Sequence, residues 1–411
     1  MGEPGRGTGR RVAFFTPLPP SPSGVAQYSA ELLPALARSC TLDVFVPDGS
    51  APPDSPPAEI RILPMREFAG RQRYDTLVYQ VANNPAHAAI LELAERVPGV
   101  CVLHDVTLQH LQGFRALHGP PATATAYREE MQRRYGAAGA AAADDLFQNR
   151  PAAPAADSPL CERVVEGSLA TIVHSRYARE RVLERCPGAP VAVVPHGVPL
   201  RAAGGPSERA AARRHLGLPD GAFVVAALGN LIPEKRLEVA LGAFARALFG
   251  LPAAGSAAFV IAGAASPHYS PADFIRLHGL DPVVHSLGPV DAESFEALLL
   301  AADACVNLRW PTGGETSGSL LRMLAAGRPT LVSAVGSFDE VPDDACLKTV
   351  PGPKEEGSVV WGLLRLARDP DWGAAIGARA RAFIAREHSL ERAAAGYVGV
   401  MRRSLIVDRG S

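Results

Sequence analysis

Short runs of apolar and β-branched residues alternate with helical patterns along the whole chain. This alternation is typical of parallel sheets, because neighbouring parallel strands need a long crossover connection, usually a helix. One such sheet takes up roughly 150–200 residues, so a chain of 411 residues is expected to hold two. The predicted strands lie at residues 12–16, 42–46, 76–81, 100–104, 171–174 and 191–195, and then at 223–229, 259–263, 283–287, 304–308 and 330–333.

The positions of these strands predict two Rossmann-like domains. Residues 1–200 form the first domain and residues 220–387 the second, joined by a linker at 201–219 that contains two glycines followed by proline. Residues 136–159 are rich in Ala and Pro, and we interpret them as an irregular surface insertion because they offer little to bury.

Charge and cysteine usage exclude several classes of protein. The 41 basic and 42 acidic residues give a net charge of -1, which argues against a nucleic-acid partner or polybasic membrane attachment. The six cysteines contain no C-x-x-C pair, so buried thiols in a reducing cytoplasm are expected. The first ten residues lack the apolar stretch of a signal peptide or anchor. High Ala, Pro, Gly and Arg usage is typical of a GC-rich bacterial genome.

The segment from Pro311 to Pro329 combines a carboxylate with a Gly/Ser turn that opens a helix. Ser317 or Ser319 is suited to cap that helix, and Gly327 is suited to end it. The turn follows a predicted strand, at the edge of the sheet where open α/β proteins bind ligands. Glu315 beside helix-start amides therefore predicts a site that binds a sugar and a phosphate together.

Lys235 follows the first strand of the second half, after Gly229 and Asn230, and is predicted to begin a helix. A cation at a helix start is unfavourable for the helix dipole unless an anion lies beside it. This mismatch favours a phosphate-binding Lys235, with a solvated lysine as the alternative.

The first half offers two weaker candidates. A Pro/Ser/Gly loop with Ser23 and Gly24 opens an apolar helix, and its free amides suit an anion or a sugar oxygen, although taken alone the loop favours an ordinary strand-to-helix turn. His104 and Asp105 end a buried strand, where they serve either a hydroxylated ligand or the local structure. His174 and His196 also follow strands and are at least as compatible with structural turns.

In this order along the chain, these residues resemble the retaining glycosyltransferases of family 4. The resemblance implies the GT-B fold, in which two Rossmann-like parallel-sheet domains face a cleft and a C-terminal helix crosses back to the first domain; residues 388–411 match that helix and tail. It implies Lys235, Glu315 and His104 as catalytic residues and Asp105, Gln27 and Tyr28 on the acceptor side. The donor-binding residues that it implies are Gly24, Gly229, Asn230, Lys235, Glu315, Thr316, Ser317, Gly318, Ser319 and Leu320.

Two residues depart from the family pattern. Asn230 stands where the family usually has arginine, so Lys235 would face the diphosphate with help only from Arg236 or Arg309. The second glutamate of the donor motif, which usually holds the ribose, is missing, and Arg322 and Met323 occupy its region.

The reaction implied is transfer of a sugar from a nucleotide-diphosphate sugar to an acceptor hydroxyl, with retained configuration. No metal and no obligatory cofactor are expected, because no D-x-D-like pair follows a strand at the site. The acceptor remains open between a glycan, a lipid-linked saccharide and a natural product, and the oligomeric state is open as well.

The alternative functions are a nucleotide-sugar epimerase, a phosphorylase and a catalytically idle GT-B partner subunit. A dehydrogenase is disfavoured because no G-x-G-x-x-G follows a strand.

Overall fold

A computed structural model describes residues 10–21, 23–50, 60–150, 157–201, 204–219, 221–251, 257–266 and 269–408. These residues group into two compact units. Unit 1 contains the described residues up to Gly197, the short segment Gly313–Thr316, and those from Leu390 onward. Unit 2 contains Val198–Thr312 and Ser317–Ser389.

Unit 1 is built on a seven-stranded parallel sheet in the order β3-β2-β1-β4-β5-β6-β7. Its central strand β4 is buried at every position, as expected for a parallel strand covered on both faces. The strands are β1 Arg10–Phe15, β2 Cys40–Val46, β3 Arg61–Pro64, β4 Thr76–Val81, β5 Val100–Leu103, β6 Ala170–Val173 and β7 Val191–Val193.

Seven helices belong to the described part of unit 1. They are α1 Gly24–Ala37, α2 Ala88–Ala94, α3 Gln109–His118, α4 Pro121–Phe147, α5 Glu162–Glu166, α6 Arg176–Arg185 and α14 Leu390–Asp408. The last of these is far from the others in sequence, yet its Ala393, Ala394, Tyr397 and Val400 join the core formed with β1, β2 and α1. The predicted return of the C-terminal helix to the first domain is therefore confirmed.

Unit 2 has a six-stranded parallel sheet in the order β10-β9-β8-β11-β12-β13. Its strands are β8 Phe223–Leu228, β9 Ala257–Ala262, β10 Val284–Ser286, β11 Ala304–Asn307, β12 Thr330–Ser333 and β13 Leu347–Thr349. Its helices are α7 Pro206–His215, α8 Leu237–Ala247, α9 Ala272–Leu277, α10 Ala292–Ala301, α11 Gly318–Ala325, α12 Glu355–Arg368 and α13 Pro370–Glu387. Both sheets thus have the predicted Rossmann-like, all-parallel architecture, and in each the strand order reverses beside the first strand, which is where such sheets bind ligands.

Two predictions of irregular structure are wrong. Residues 136–147 are the second half of α4, with a non-helical Gly136 (φ 61°) at the kink, because their alanines favour helix and Ala142 and Ala143 pack in the core. The rest of the predicted insertion lies partly outside the described residues, at 151–156. The predicted linker also contains α7, whose Ala212 joins the core of unit 2.

The contact between α13 and the end of α11 depends on Gly377, because a Cβ there would collide with the backbone oxygen of Gly327. We expect Gly377→Ala to destabilise unit 2 by about 1–3 kcal/mol, the usual cost of overpacking. Gly357→Ala is the matched control: it also lies in a helix, but its Cβ would meet nothing within 4 Å, so it should be neutral or stabilise by about 0.5–1 kcal/mol. Urea unfolding followed by tryptophan fluorescence measures both, since Trp310, Trp361 and Trp372 all lie in unit 2. Equal midpoints for the two variants would contradict this packing.

None of the helices within the described ranges is long and apolar enough to cross a membrane. All six cysteines are free and buried. Burial raises the pKa of the Cys101 and Cys305 thiols to about 12, so both are protonated and unreactive at neutral pH.

Candidate functional site

The loop after β8 brings Lys235 back over the end of its own strand. Gly229 adopts φ 97°, and the chain then makes one 3₁₀ turn, Pro233–Lys235, before α8 begins at Leu237. The prediction that Lys235 begins this helix is therefore wrong, because Lys235 ends the 3₁₀ turn that precedes α8. Its Nζ donates to the Leu228 carbonyl at 2.9 Å, which holds the ammonium group beside Gly229.

Gly229 has two reasons to lack a side chain. A Cβ at this position would collide with Lys235 Nζ and would lie 3.3 Å from Ser319 Oγ. The neighbouring Gly263 also approaches so closely that its own Cβ would collide with the Gly229 carbonyl oxygen. The lack of a side chain at Gly229 thus lets an ammonium group and a hydroxyl approach its backbone, while Asn230 next to it is exposed.

Helix α11 begins beside the same loop. Ser317 is its N-cap, accepting a hydrogen bond from Leu320 N at 3.2 Å, as predicted for one of the two serines. Ser319 accepts from Asn307 Nδ2 at 3.2 Å, and the two serine hydroxyls are 3.1 Å apart. Gly327 adopts φ 68° just after the helix, as its predicted stop. Unit 2 therefore brings Gly229, Lys235 and the start of α11 together.

The arginines expected to assist Lys235 are engaged elsewhere. Arg236 Nε donates to the fully buried Glu355 at 2.6 Å, and this pairing accompanies a left-handed backbone at Arg236 (φ 51°). Arg309 is buried with its guanidinium 5.6 Å from the Phe338 ring centroid. Arg236 is thus paired with Glu355 and Arg309 lies near Phe338, and the help of either arginine to Lys235 stays a prediction.

Arg322 and Met323, which stand where the family pattern has its second glutamate, face different neighbours. Arg322 Nη1 lies 3.5 Å from Glu296 on α10, and its guanidinium faces the Phe295 ring. Met323 is fully buried, with its sulfur 4.0 Å from Asn307 Nδ2. Arg322 is thus directed toward α10, and Met323 packs in the core of unit 2.

Glu315 lies in the segment Gly313–Thr316 of unit 1. Its Oε2 accepts from Gly313 N at 2.8 Å, which fixes the carboxylate within a tight turn. Gly313 O accepts from Thr107 N at 3.3 Å, and a Cβ on Gly314 would come within 2.6 Å of Val106. The turn that carries Glu315 therefore packs on the loop that follows His104 and Asp105.

His104 sits in a buried network at the carboxyl ends of β4, β5 and β6. Its Nε2 is 2.6 Å from Gln80 Oε1, and its Nδ1 is 3.2 Å from His174 Nε2. His174 Nδ1 in turn donates to the Val194 carbonyl at 2.8 Å. Burial lowers the pKa of His104 well below its ordinary value, and His174, His196 and His87 lower it further, so His104 is neutral at physiological pH.

The same network reaches α1 and α14. Tyr28 lies on α1 and is 2% exposed; its ring centroid is 4.0 Å from that of His196, and its hydroxyl donates to Tyr397 at 3.2 Å. Gln27 is exposed and donates to Glu31, while Asp105 accepts from Asn83 N at 2.7 Å. These acceptor-side predictions therefore fall on three different environments: a buried tyrosine, an exposed glutamine and a loop-fixing aspartate.

His87 links this network to the first loop. Its Nε2 is 3.2 Å from Ser23 Oγ, and its Nδ1 donates to the Gln80 carbonyl at 2.8 Å. Ser23 is the N-cap of α1, and Gly24 starts the helix with open space where a side chain would be. The loop predicted to bind an anion or a sugar is thus fixed by a buried histidine.

Acid should destabilise unit 1 through these histidines. Burial lowers the pKa of His87 to about 4, whereas an unfolded histidine titrates near 6.5. Because the unfolded chain binds the extra proton first, stability is lost as pH falls from about 6.5 to 4, by about 3 kcal/mol for His87 alone. Hydrogen exchange of unit 1 peptides at pH 7.5 and 5.5, corrected for intrinsic rates, should show a smaller acid loss in His87→Gln than in the natural chain. An equal loss in both would remove His87 as a cause.

Sequence reasoning missed Asn307, Gln80 and Tyr397. Asn307 ends a buried strand. Its role could have been predicted from one signal: it is a polar residue at the end of an apolar strand whose neighbouring loops carry Gly229 and Ser319. No cluster of histidine, cysteine, aspartate or glutamate in the described residues is suited to hold a metal ion.

Known proteins are similar to this chain in sequence and in fold. Residues 222–369 match the family model described as Glycosyl transferases group 1. The D-inositol 3-phosphate glycosyltransferase of Geodermatophilus obscurus is 32% identical over 224 residues, which are 53% of this chain and 45% of that protein. The chain spans less than half the length of the curated relatives that it matches.

Several solved structures align over nearly the full chain. Sucrose-phosphate synthase from Thermosynechococcus elongatus has a TM-score of 0.66 at 16% identity, covering 97% of this chain and 100% of that one. HepE from Anabaena, solved with UDP-glucose, has a TM-score of 0.63 at 14% identity, covering 98% of this chain and 100% of that one. At such identities the likeness concerns the fold. The chain therefore has the two-domain α/β architecture of the GT-B fold, and its residues 222–369 are similar to the group 1 glycosyl transferases.

Proposed function

We propose that the protein is a retaining glycosyltransferase of family 4, which moves a sugar from a nucleotide-diphosphate sugar to an acceptor hydroxyl. The observation that carries this proposal is the group formed by Lys235 Nζ, the Ser319 hydroxyl and the start of α11 around the bare Gly229. An ammonium group, a hydroxyl and helix-start amides are the donors that bind a diphosphate. The match of residues 222–369 to the group 1 family supports the same activity.

In this proposal the diphosphate is the leaving group. The bond from the anomeric carbon to the diphosphate oxygen breaks, and the acceptor oxygen bonds to that carbon on the same face. The acceptor proton passes to the departing diphosphate, so no covalent protein nucleophile is needed. Lys235 and the amides from Thr316 to Ser319 stabilise the negative charge that develops on the diphosphate as the bond breaks. The Leu320 amide, which was also predicted to bind phosphate, donates to Ser317 Oγ instead.

Glu315 is proposed to bind hydroxyls of the donor sugar. It lies two residues before the N-cap of α11, and the hydrogen bond from Gly313 N fixes its carboxylate. The remaining predicted donor residues, Gly24 and Asn230, border open or exposed positions that leave room for a ligand.

His104 stays a predicted site residue. Both of its ring nitrogens are within hydrogen-bonding distance of protein groups, Gln80 and His174. A direct contact with substrate would require one of these bonds to be exchanged, so His104 acts either after such an exchange or by holding the loop at Asp105 in place. Tyr28 and Gln27 likewise remain predictions for the acceptor side.

Mass spectrometry of a donor panel tests the proposal directly. The purified protein is incubated with each nucleotide sugar and a mixed set of acceptors: sugars, a lipid-linked saccharide and hydroxylated natural products. The expected result is release of nucleoside diphosphate together with a mass gain of one sugar on the acceptor, and the product's anomeric configuration reports retention. An epimerase would convert donor without acceptor. An idle partner subunit would release no diphosphate with any pair.

The proposed reaction needs no metal, because Lys235 and backbone amides carry the role that a divalent cation has in other transferases. Activity is therefore expected to stay within about twofold after dialysis against EDTA, a change of less than about 0.5 kcal/mol in the barrier. Restoration of activity by Mg²⁺ or Mn²⁺ after its loss in chelator would contradict this expectation.

We also propose a cytoplasmic location. Its support is the six free, buried thiols, which suit a reducing compartment.

A further inference from the structure

Asn307 is a buried polar side chain that the proposed mechanism does not yet use. It ends β11, is 4% exposed, and contacts both serines at the start of α11. Its Nδ2 donates to Ser319 Oγ at 3.2 Å, and its Oδ1 accepts from Ser317 Oγ at 3.5 Å. One amide thus binds two hydroxyls, as donor to one and acceptor from the other.

The protons in this group determine what Ser319 offers to a ligand. Ser317 Oγ already accepts from Leu320 N, and its own proton has the Asn307 oxygen as a partner. Ser319 Oγ accepts from Asn307, so its single proton is directed either to Ser317 Oγ, 3.1 Å away, or outward. An anion beside Ser319 would select the outward direction, because the Asn307 oxygen still accepts the Ser317 proton.

The outward direction leads toward the backbone of Gly229. A Cβ placed on Gly229 would meet Ser319 Oγ at 3.3 Å and would collide with Lys235 Nζ, so the serine hydroxyl and the ammonium group lie on the same side of that backbone. An oxygen of a bound diphosphate there would accept from the serine and the lysine together.

From this arrangement we infer that Asn307 is a positioning residue for the diphosphate of the donor. By donating to Ser319 and accepting from Ser317, it makes Ser319 a hydrogen-bond donor toward the diphosphate beside Lys235. This inference rests on the proposed function. To that function it adds Asn307 as a further residue, and donation by the Ser319 hydroxyl toward the diphosphate.

Asn307→Asp tests the inference because aspartate has the same shape but, when ionised, only accepts. Both serine hydroxyls then donate their protons to the aspartate, and the negative charge of the aspartate lies near the diphosphate. The dissociation constants for UDP, GDP and ADP, measured by calorimetry on the full chain, should rise at least about tenfold for whichever nucleotide the natural chain binds. The loss of affinity relative to the natural chain should shrink as pH falls from 7 to 5, because burial raises the pKa of a carboxyl group and a protonated aspartate donates to Ser319 again. A purely structural role would not give this rescue.

A double-mutant cycle separates the hydrogen bond from the charge. Asn307→Leu removes the contact without adding charge and should weaken binding about three- to tenfold in the natural background. In the Ser319→Ala background it should weaken binding no further. Thr349→Val is the matched control, since Thr349 is also a buried polar residue at a strand end in unit 2 and donates to the Val332 carbonyl away from this group; its nucleotide affinity should be unchanged.

The outcomes distinguish the inference from the proposed function. If the natural chain binds none of these three nucleotides, nor dTDP or CDP, the proposed function fails. If it binds one and Asn307→Asp binds equally well while remaining folded by thermal unfolding, the inference fails and the proposed function stands. If Asn307→Leu weakens binding equally with and without Ser319, Asn307 does not act through Ser319, and the inference is also wrong.

Discussion

Replacing Lys235 with methionine should lower turnover by about ten- to a hundredfold or more at saturating donor. A charge-assisted contact contributes about 1.5–3 kcal/mol net, and this one is expected to strengthen as charge moves onto the diphosphate. Methionine keeps a long apolar stem, so the packing of the loop between Gly229 and α8 should survive. Steady-state kinetics with the best donor and acceptor pair measure the change in kcat and KM separately.

Lys354→Met is the matched control for this prediction. Lys354 is an exposed lysine of unit 2 just before α12, so its replacement should leave turnover unchanged. The thermal unfolding midpoint of Lys235→Met should also stay close to that of the natural chain, apart from the loss of one hydrogen bond to Leu228. Full turnover in Lys235→Met would remove this lysine from the mechanism.

Glu315→Gln should lower kcat/KM for the nucleotide sugar by about ten- to a hundredfold, because hydrogen bonds to a charged acceptor are about twice as strong as neutral ones. The substitution keeps the side chain's shape and removes its charge. The affinity for free nucleoside diphosphate should change little, since Glu315 is assigned to the sugar. Calorimetry with the nucleoside diphosphate alone, beside kinetics with the whole donor, separates the two contacts.

Glu129→Gln, on the exposed surface of α4, serves as the control for removal of one carboxylate. Equal losses of affinity for the donor and for the free nucleoside diphosphate in Glu315→Gln would mean that Glu315 does not bind the sugar. It would then act on the phosphate or on the local turn held by Gly313.

Most strands of both sheets could be predicted because buried parallel strands leave continuous apolar runs in the sequence. The short edge strands β3 and β13 were missed, since Arg61–Pro64 and Leu347–Thr349 are brief and partly polar. Helices α4 and α7 were missed in part because alanine-rich stretches with glycine or proline nearby are as compatible with loops as with helices.

The site was predictable where one loop carries it and unpredictable where several strands meet. Lys235, Ser317 and Glu315 lie in single loops with recognisable turn chemistry. The contacts of His104 with Gln80 and His174 depend on the lateral order of β4, β5 and β6, which local patterns do not specify. In the sequence Asn307 resembles any other residue of a buried strand, because its contact with Ser319 appears only when α11 is packed beside β11.

The position of α14 has a consequence for how the protein folds during synthesis. The core around β1 and α1 includes Tyr397 and Val400, more than 350 residues downstream of Tyr28. The ribosome must therefore release the chain as far as α14 before this core closes, whereas the sheet of unit 2 is available earlier. Since contacts of such long sequence separation are slow to form, the nascent first sheet exposes apolar surface for the longest time, and it is the part of the chain most in need of a chaperone.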